Sequence, residues 1–204
     1  PVVGQVWYNT TTNVVKGFVN YSGSWSTGGA VNTARQYMGA AGTQTAALAF
    51  GGSPGVNLTE KYNGTTWTEV NNLQTARERL AGCGASNTAA LAFGGNAPPG
   101  EQAITESWNG SSWTEVNVLN TARKRLVGAG TSTAGIVFGG DPPGTAALTE
   151  LWNGTNWTEV SDLATPREAP GGAGTTAAAL AISGPTTATE EWNQGPATVT
   201  FDVS

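Results

Sequence analysis

Thr121-Ala122-Arg123, Leu126-Val127-Gly128-Ala129-Gly130, Gly135-Ile136-Val137-Phe138-Gly139-Gly140, Thr149-Glu150-Leu151-Trp152-Asn153-Gly154 and Trp157-Thr158-Glu159-Val160 follow one another in one stretch of the chain. The stretch recurs. Its opening is matched by Thr33-Ala34-Arg35, Thr75-Ala76-Arg77 and Thr165-Pro166-Arg167, so the four arginines stand 42, 46 and 44 residues apart. Periods of about 40–50 residues mark propellers and solenoids, in which each unit is one supersecondary element that buries its faces against its neighbours.

Each unit reads as four short strands. In the second, they are Leu80-Ala81-Gly82-Cys83-Gly84, Ala90-Leu91-Ala92-Phe93, Ile104-Thr105-Glu106-Ser107-Trp108 and Trp113-Thr114-Glu115-Val116. Gly94-Gly95 stops the second strand, and Asn109-Gly110 favours a tight hairpin between the last two. Helical periodicity is absent. Aromatics recur on the third strand (Tyr62, Trp108, Trp152, Trp192) and at the start of the fourth (Trp67, Trp113, Trp157). A packed tryptophan buries about 150–250 Å², worth about 4–6 kcal/mol as an upper bound. One set per unit reads as glue between sheets.

The flanking segment, residues 1–32, begins with a strand–turn–strand pattern, Gln5-Val6-Trp7-Tyr8 and Val14-Val15-Lys16-Gly17-Phe18-Val19 around Asn9-Thr10-Thr11-Thr12-Asn13. Tyr21-Ser22-Gly23-Ser24-Trp25 then imitates Tyr62-Asn63-Gly64-Thr65-Thr66-Trp67. The repeats divide at about 33–74, 75–120, 121–164 and 165–204. The expected fold is an all-β propeller of four-stranded blades. Five blades are favoured, with Ala197-Thr198-Val199-Thr200-Phe201-Asp202-Val203 joining the N-terminal strands in a composite closing blade. The alternatives are four blades with an N-terminal appendage, or strands shared with another subunit. The chain opens on Pro1 and reads as part of something longer.

Composition narrows the function. The 204 residues include 29 Gly and 8 Trp, with 11% charged residues and a net charge of −5, which suits a turn-rich β protein and not disorder. No basic stripe marks a nucleic-acid binder. No apolar run approaches the ~18 residues that suggest a membrane helix. There is no histidine, which removes His-based triads, most zinc sites and imidazole acid–base chemistry. The single cysteine, Cys83, shares its repeat position with Ala41, Ala129 and Ala173 and reads as a small buried side chain. No catalytic residue, metal or cofactor is expected.

Binding, if any, belongs on the face that carries the loops after the second strands together with the Thr-Ala-Arg turns. Those loops, 53–58, 96–104, 141–148 and 185–188, repeat least, and Pro98, Pro99, Pro142 and Pro143 stiffen them. The candidate ligand-binding residues are Asn57, Asn96, Glu101, Gln102 and Asp141, with Arg35, Arg77, Arg123 and Arg167. A ring of arginines suits an anion such as sulfate, phosphate or an acidic sugar. Glu60, Glu106, Glu150 and Glu190 recur one per unit, which argues for Arg–Glu pairing instead. Glu101 and Asp141 are the loop acids that break the repeat.

Phe93-Gly94-Gly95, Trp108, Trp113 and the arginine opening each unit resemble the kelch repeat of β-propellers over residues 33–192, with units shorter than its usual ~50 residues. The Thr-Ala-Arg openings, Ala-Ala-Leu-Ala-Phe-Gly-Gly (89–95) and Glu-Ser-Trp-Asn-Gly-Ser-Ser-Trp-Thr-Glu-Val (106–116) resemble repeats in structural proteins of aquatic bacteriophages. Gly4-Gln5-Val6-Trp7-Tyr8-Asn9-Thr10-Thr11-Thr12 is similar to openings of phage tail-fibre segments. The resemblance implies a non-enzymatic virion domain, on capsid or tail, with other virion subunits and a host-surface glycan as partners. A bacterial secreted or surface interaction propeller is the alternative, and a glycan-processing enzyme a third reading.

Overall fold

The second strand of each repeat, alanine-rich in three of them and Gly-Ile-Val-Phe in the third, has no charge and no long polar side chain to keep in water, so it lies in the middle of a sheet, with the glycine-rich first strand on one side and the aromatic third strand on the other. The computed structural model describes residues 6–12, 14–17, 24–141, 147–184 and 186–195. Strands β1 (Val6–Asn9) and β2 (Val14–Gly17) form a hairpin of their own. Blade one follows as β3 (Gly39–Thr43), β4 (Ala46–Phe50), β5 (Thr59–Tyr62) and β6 (Trp67–Val70). Blade two has β7 (Ala81–Ser86) and β8 (Ala89–Phe93), an inserted hairpin of β9 (Asn96–Ala97) and β10 (Gly100–Glu101), then β11 (Thr105–Trp108) and β12 (Trp113–Val116). Blade three is β13 (Val127–Gly130), β14 (Gly135–Phe138), β15 (Thr149–Trp152) and β16 (Trp157–Glu159). Blade four shows β17 (Gly171–Gly174), β18 (Ala178–Ile182) and β19 (Thr189–Asn193).

Within each blade the strands pair antiparallel in chain order. The four first strands stand in series, β3 packing on β7, β7 on β13 and β13 on β17. The molecule is an all-β, four-bladed propeller arrangement. This matches the four-blade alternative with its separate N-terminal hairpin, in place of the favoured five. The physical reason is pairing: among the described residues β1 and β2 pair only with each other, so they complete no blade. The segment 197–203, expected as the last strand, lies outside the described residues.

Two local features set the blade shape. Gly94 and Gly95 follow β8 with φ of 63° and 107°, a left-handed pair that turns the chain sharply where a side chain would be strained. A Cβ on Gly94 would also stand 2.7 Å from the Arg123 carbonyl oxygen of the next repeat. The turn between third and fourth strands is the four-residue loop 109–112 that the strand bounds implied. Asn109 Oδ1 accepts the N–H groups of Ser111 and Ser112, both at 2.9 Å, and Asn63 and Asn153 do the same in their blades. The asparagine side chain satisfies the donors that a shorter turn would have paired.

The tryptophans join the sheets as expected, and the structure adds a polar half to the contact. Trp113 meets Phe50 of the preceding blade edge-on, with centroids 4.9 Å apart, and donates its indole N–H to Thr59 Oγ1 at 3.0 Å. Trp157 repeats this on Phe93, at 5.1 Å, and on Thr105 Oγ1, at 3.0 Å. Each indole is buried, so an unpaired N–H would be costly, and the threonine removes that cost. Cys83 is buried as its alanine counterparts suggested, its Sγ donating to the Thr131 carbonyl oxygen at 3.3 Å. Burial pushes its thiol up to about 12. A Trp157→Ala variant is expected to lose about 3–5 kcal/mol of stability in urea denaturation. A Thr105→Val variant should lose a smaller amount, about 1–3 kcal/mol, for the orphaned indole N–H.

Candidate functional site

The linker into each blade and the loop after its second strand lie on one face, as the alternation of strands requires. Backbone bridges between Gln36 and Ser53, Glu78 and Asn96, and Lys124 and Asp141 hold the two together. This face carries the least repetitive sequence, and the candidate residues fall on it in two sets.

The arginines are inside it. Arg77 donates from Nη1 to Glu106 Oε1 at 2.6 Å and from Nη2 to the Ala92 carbonyl oxygen at 3.2 Å. Arg35 pairs with Glu60 at 2.6 Å, Arg123 with Glu150 at 2.8 Å and Arg167 with Glu190 at 2.6 Å. The Arg77, Arg123 and Arg167 side chains are wholly buried. Arg123 Nη1 also donates to the carbonyl oxygens of Gly139 and Leu148, stitching the two ends of the third blade's loop together. The carboxylates do a second task. Glu106 Oε2 accepts the Gln74 N–H at 2.7 Å, and Glu150 Oε2 accepts the N–H and the side-chain amide of Asn120 at 2.8 and 2.9 Å. Each glutamate thus holds its arginine and the incoming linker at once.

Of the loop residues, Asn57 turns inward, its Nδ2 donating to the Leu73 carbonyl oxygen at 3.0 Å. Gln102 folds back on its own hairpin, its Nε2 donating to the carbonyl oxygens of Ala97 and Gly100. Asn96 is half-buried beside Glu78. Glu101 receives a 2.6 Å bond from Lys124 Nζ of the next blade, and that bond holds its carboxyl below the usual range. Asp141 stands 3.9 Å from Arg125 Nη1, which also reaches Glu168 of the fourth blade at 3.2 Å. Pro142 and Pro143 lie outside the described residues. Lys124–Glu101 and Arg125–Glu168 thus join neighbouring blades, while Arg125–Asp141 and Arg79–Glu78 lie within one. Between the first two blades lies an open cleft of about 460 Å³, lined by Ser53, Pro54, Gly55, Glu78, Asn96 and Pro98.

The strands β9 and β10 that form one wall of this cleft were not legible as strands. Two residues each are too short to show an alternation. Glu78 was also missed, because it sits within the repeated linker where Gln36 and Lys124 stand in other blades. Among the described residues, no three or more cysteine or acidic side chains are placed to hold a metal ion. No protein-family model matches the chain, and no curated protein matches it.

Two predictions concern the buried pairs. Removing one partner leaves a buried charge unpaired, whereas removing both does not. Glu106→Gln is expected to cost about 3–5 kcal/mol in chemical denaturation, and Arg77→Met combined with Glu106→Leu to cost less than Glu106→Gln alone. The second concerns acid. Burial raises the carboxyls of Glu60 and Glu190, but bonds from backbone N–H groups and from Arg35 and Arg167 outweigh it, leaving both below the ordinary 4.5. Groups depressed on folding stabilise above their unfolded pKa and lose that contribution as pH falls through the folded one. Unfolding free energy is expected to be flat from neutrality to about pH 5.5 and to decline below about 4.5, as read by urea titration at stepped pH.

Proposed function

We propose that this chain is a non-enzymatic, kelch-like propeller domain of a phage virion, which presents its variable loop face to a glycan of the host surface and packs beside other virion subunits. The observation that supports this reading most is a division of labour. The constant residues of the repeat, its tryptophans, Gly-Gly pairs and Arg–Glu pairs, are consumed in holding blades together. Several positions that differ between repeats, Ser53, Pro54, Glu78, Asn96 and Pro98, line one cleft between the 53–55 loop and the β9–β10 hairpin. Conserved scaffolds with variable loops are the usual arrangement of recognition surfaces.

The chemistry of the cleft suits a neutral or mildly polar ligand. Pro54 and Pro98 give two stiff apolar walls for the faces of sugar rings. Asn96 and Glu78 add polar groups, and the neighbouring carboxylates of Glu101 and Asp141 are already engaged by Lys124 and Arg125. Hydrolysis of a glycan would call for two carboxylates about 5–9.5 Å apart astride the bond; the repeated glutamates stand in cross-strand pairs, Glu60 with Glu69, Glu106 with Glu115 and Glu150 with Glu159, the first of each pair held by an arginine, and none of them lines the cleft.

On an array of bacterial surface polysaccharides, the intact assembly is expected to bind a restricted set of glycans. Glu78→Ala and Asn96→Ala should weaken binding about 10-fold or more, in line with loss of a polar contact worth 1–3 kcal/mol. The glycans should emerge with unchanged chain length, with or without divalent metal. Cleavage would overturn the non-enzymatic reading, and absence of any binding would overturn the adhesion reading.

A further inference from the structure

Three interfaces join the four blades, and they use one set of contacts. The first-strand glycine of each later blade lies under the phenylalanine of the blade before. A Cβ would come within 2.4 Å of Phe50 at Gly82, 2.3 Å of Phe93 at Gly128 and 2.8 Å of Phe138 at Gly172. Backbone bonds link the linkers in series: Arg79 N–H to the Tyr37 carbonyl oxygen, Arg125 to Arg79 and Ala169 to Arg125, at 2.8, 2.9 and 2.9 Å. Gly52, Gly95 and Gly140 donate to the carbonyl oxygens of Arg77, Arg123 and Arg167, each at 2.9 Å.

One further step of this pattern would set Ala40 against Ile182, the Trp67 indole on Thr189, Tyr37 N–H on the Ala169 carbonyl oxygen and Gly184 N–H on the Arg35 carbonyl oxygen. None of these bonds exists among the described residues. Instead both flanks are open. Tyr37 is 54% exposed, Ile182 40%, and Ala40 and Thr189 are exposed. The sizes match across the gap. Where the formed interfaces oppose phenylalanine with glycine, this pair opposes the smaller isoleucine with the larger alanine.

A second absence lies beside the first. Phe138 and Thr149 of blade three, with Ile136, Leu163, Ala181 and Trp192, line a cavity of about 70 Å³. Their counterparts in blades one and two, Phe50 with Thr59 and Phe93 with Thr105, hold a fourth-strand tryptophan. Counted along the sequence, Ala197 stands five residues after Trp192 as Trp157 follows Trp152, and it lies outside the described residues. A spare tryptophan exists at the other end. Trp25 precedes Arg35 by ten residues, as Trp67, Trp113 and Trp157 precede Arg77, Arg123 and Arg167, and it is wholly exposed. The chain after it already follows the path of the linker that comes after a fourth strand. Gly29 lies against the Thr65–Thr66 turn, and Asn32 donates to Glu60 and to the Trp67 carbonyl oxygen as Asn120 does to Glu150 and Trp157.

Repeated interfaces impose one rotation per blade. Four blades close on themselves only if that rotation is a quarter turn, and β17 would then pack on β3 as β13 packs on β17. No comparable contact joins them. We propose that a second copy of this chain docks head to tail on the open flank of blade four, seating its Trp25 on Phe138 and Thr149 and its Ala40 on Ile182. Such a contact is heterologous, giving a ring where the rotation closes and a filament where it does not.

Sedimentation velocity of the full chain is expected to show at least twice the single-chain mass, with dissociation on dilution. Ile182→Arg blocks one flank and Ala40→Arg the other. Each variant alone should sediment as a single chain, and their equimolar mixture should form a dimer and nothing larger. Both sites are exposed, so the circular dichroism spectrum should not change. Trp25→Ser, at a position that touches nothing in the single chain, should weaken assembly about 10-fold or more, a factor equivalent to 1.4 kcal/mol. Single-chain mass for the unaltered protein at all concentrations, assembly that survives both arginine variants, or a mixture that fails to recombine would each overturn the proposal.

Discussion

A buried arginine paired with a glutamate once in every blade, the glutamate buried as well in the first three, is the constraint on which this architecture rests. Neither charge could be left in the interior alone. The desolvation of each is offset only because the partner, the backbone carbonyls and the linker N–H groups all converge on the same few ångströms. In blade two, Arg77 stands on the linker and Glu106 on β11, so the ion pair fixes the direction in which the chain enters the blade. Burial pulls the Arg77 guanidinium below its ordinary pKa while the Glu106 charge and hydrogen bond push it back. Arg123 repeats the balance with Glu150. Geometry here is the product of electrostatic necessity, and repeating the pair repeats the geometry.

Packing between blades follows from that placement. Once the linker is held, the first-strand glycine meets the phenylalanine of the blade before, and no side chain could stand between them. The fourth-strand tryptophan then closes over the same phenylalanine from the other side, and a threonine hydroxyl takes up its indole N–H. Apolar burial supplies the energy, while the Trp–Thr hydrogen bond selects one register of neighbouring sheets. The same arrangement explains why the ends of the blade series are conspicuous. A tryptophan without a slot at one end and a slot without a tryptophan at the other are what a repeating interface leaves at its termini.

The scaffold and the loop face divide the work of the chain. Two ion pairs of the loop face cross between blades, Lys124 with Glu101 and Arg125 with Glu168, and they tie the loops of blades two, three and four into one surface. That surface differs from blade to blade in the residue after each linker arginine (Gln36, Glu78, Lys124, Glu168) and in its insertions, of which the β9–β10 hairpin forms strands of its own. Recognition on such a face depends on the shape of the insertions more than on any strong single charge.

Much of the blade could be read from the residues themselves. Phe93-Gly94-Gly95 announces the end of a buried strand because a left-handed turn admits glycine and little else. Trp108 and Trp113 flank a turn because Asn109 can cap it. Those properties are local, and they survive in the linear order. The pairing of each arginine with the glutamate of its unit was also visible, as a matched count at fixed spacing. Other features depend on the three-dimensional arrangement. Asn57 and Gln102 look like loop side chains available to a ligand, yet Asn57 is spent on the Leu73 carbonyl of the following linker and Gln102 on carbonyls of its own hairpin, because the polar backbone of irregular segments must find partners. Four repeats could be counted and a four-blade arrangement was one of the closures considered, but the choice between four and five was not legible, since the repeat period sets the size of a blade and says nothing of the angle between blades. The sequence alone determined the repeated unit, its strands and its buried pairs, because local turn chemistry and burial are written in residue type and spacing. Tertiary structure alone decided which glycine lies under which phenylalanine, which loops share a cleft, and that the flanks of the first and last blades stay apart, because those depend on the rotation that packing imposes between sheets.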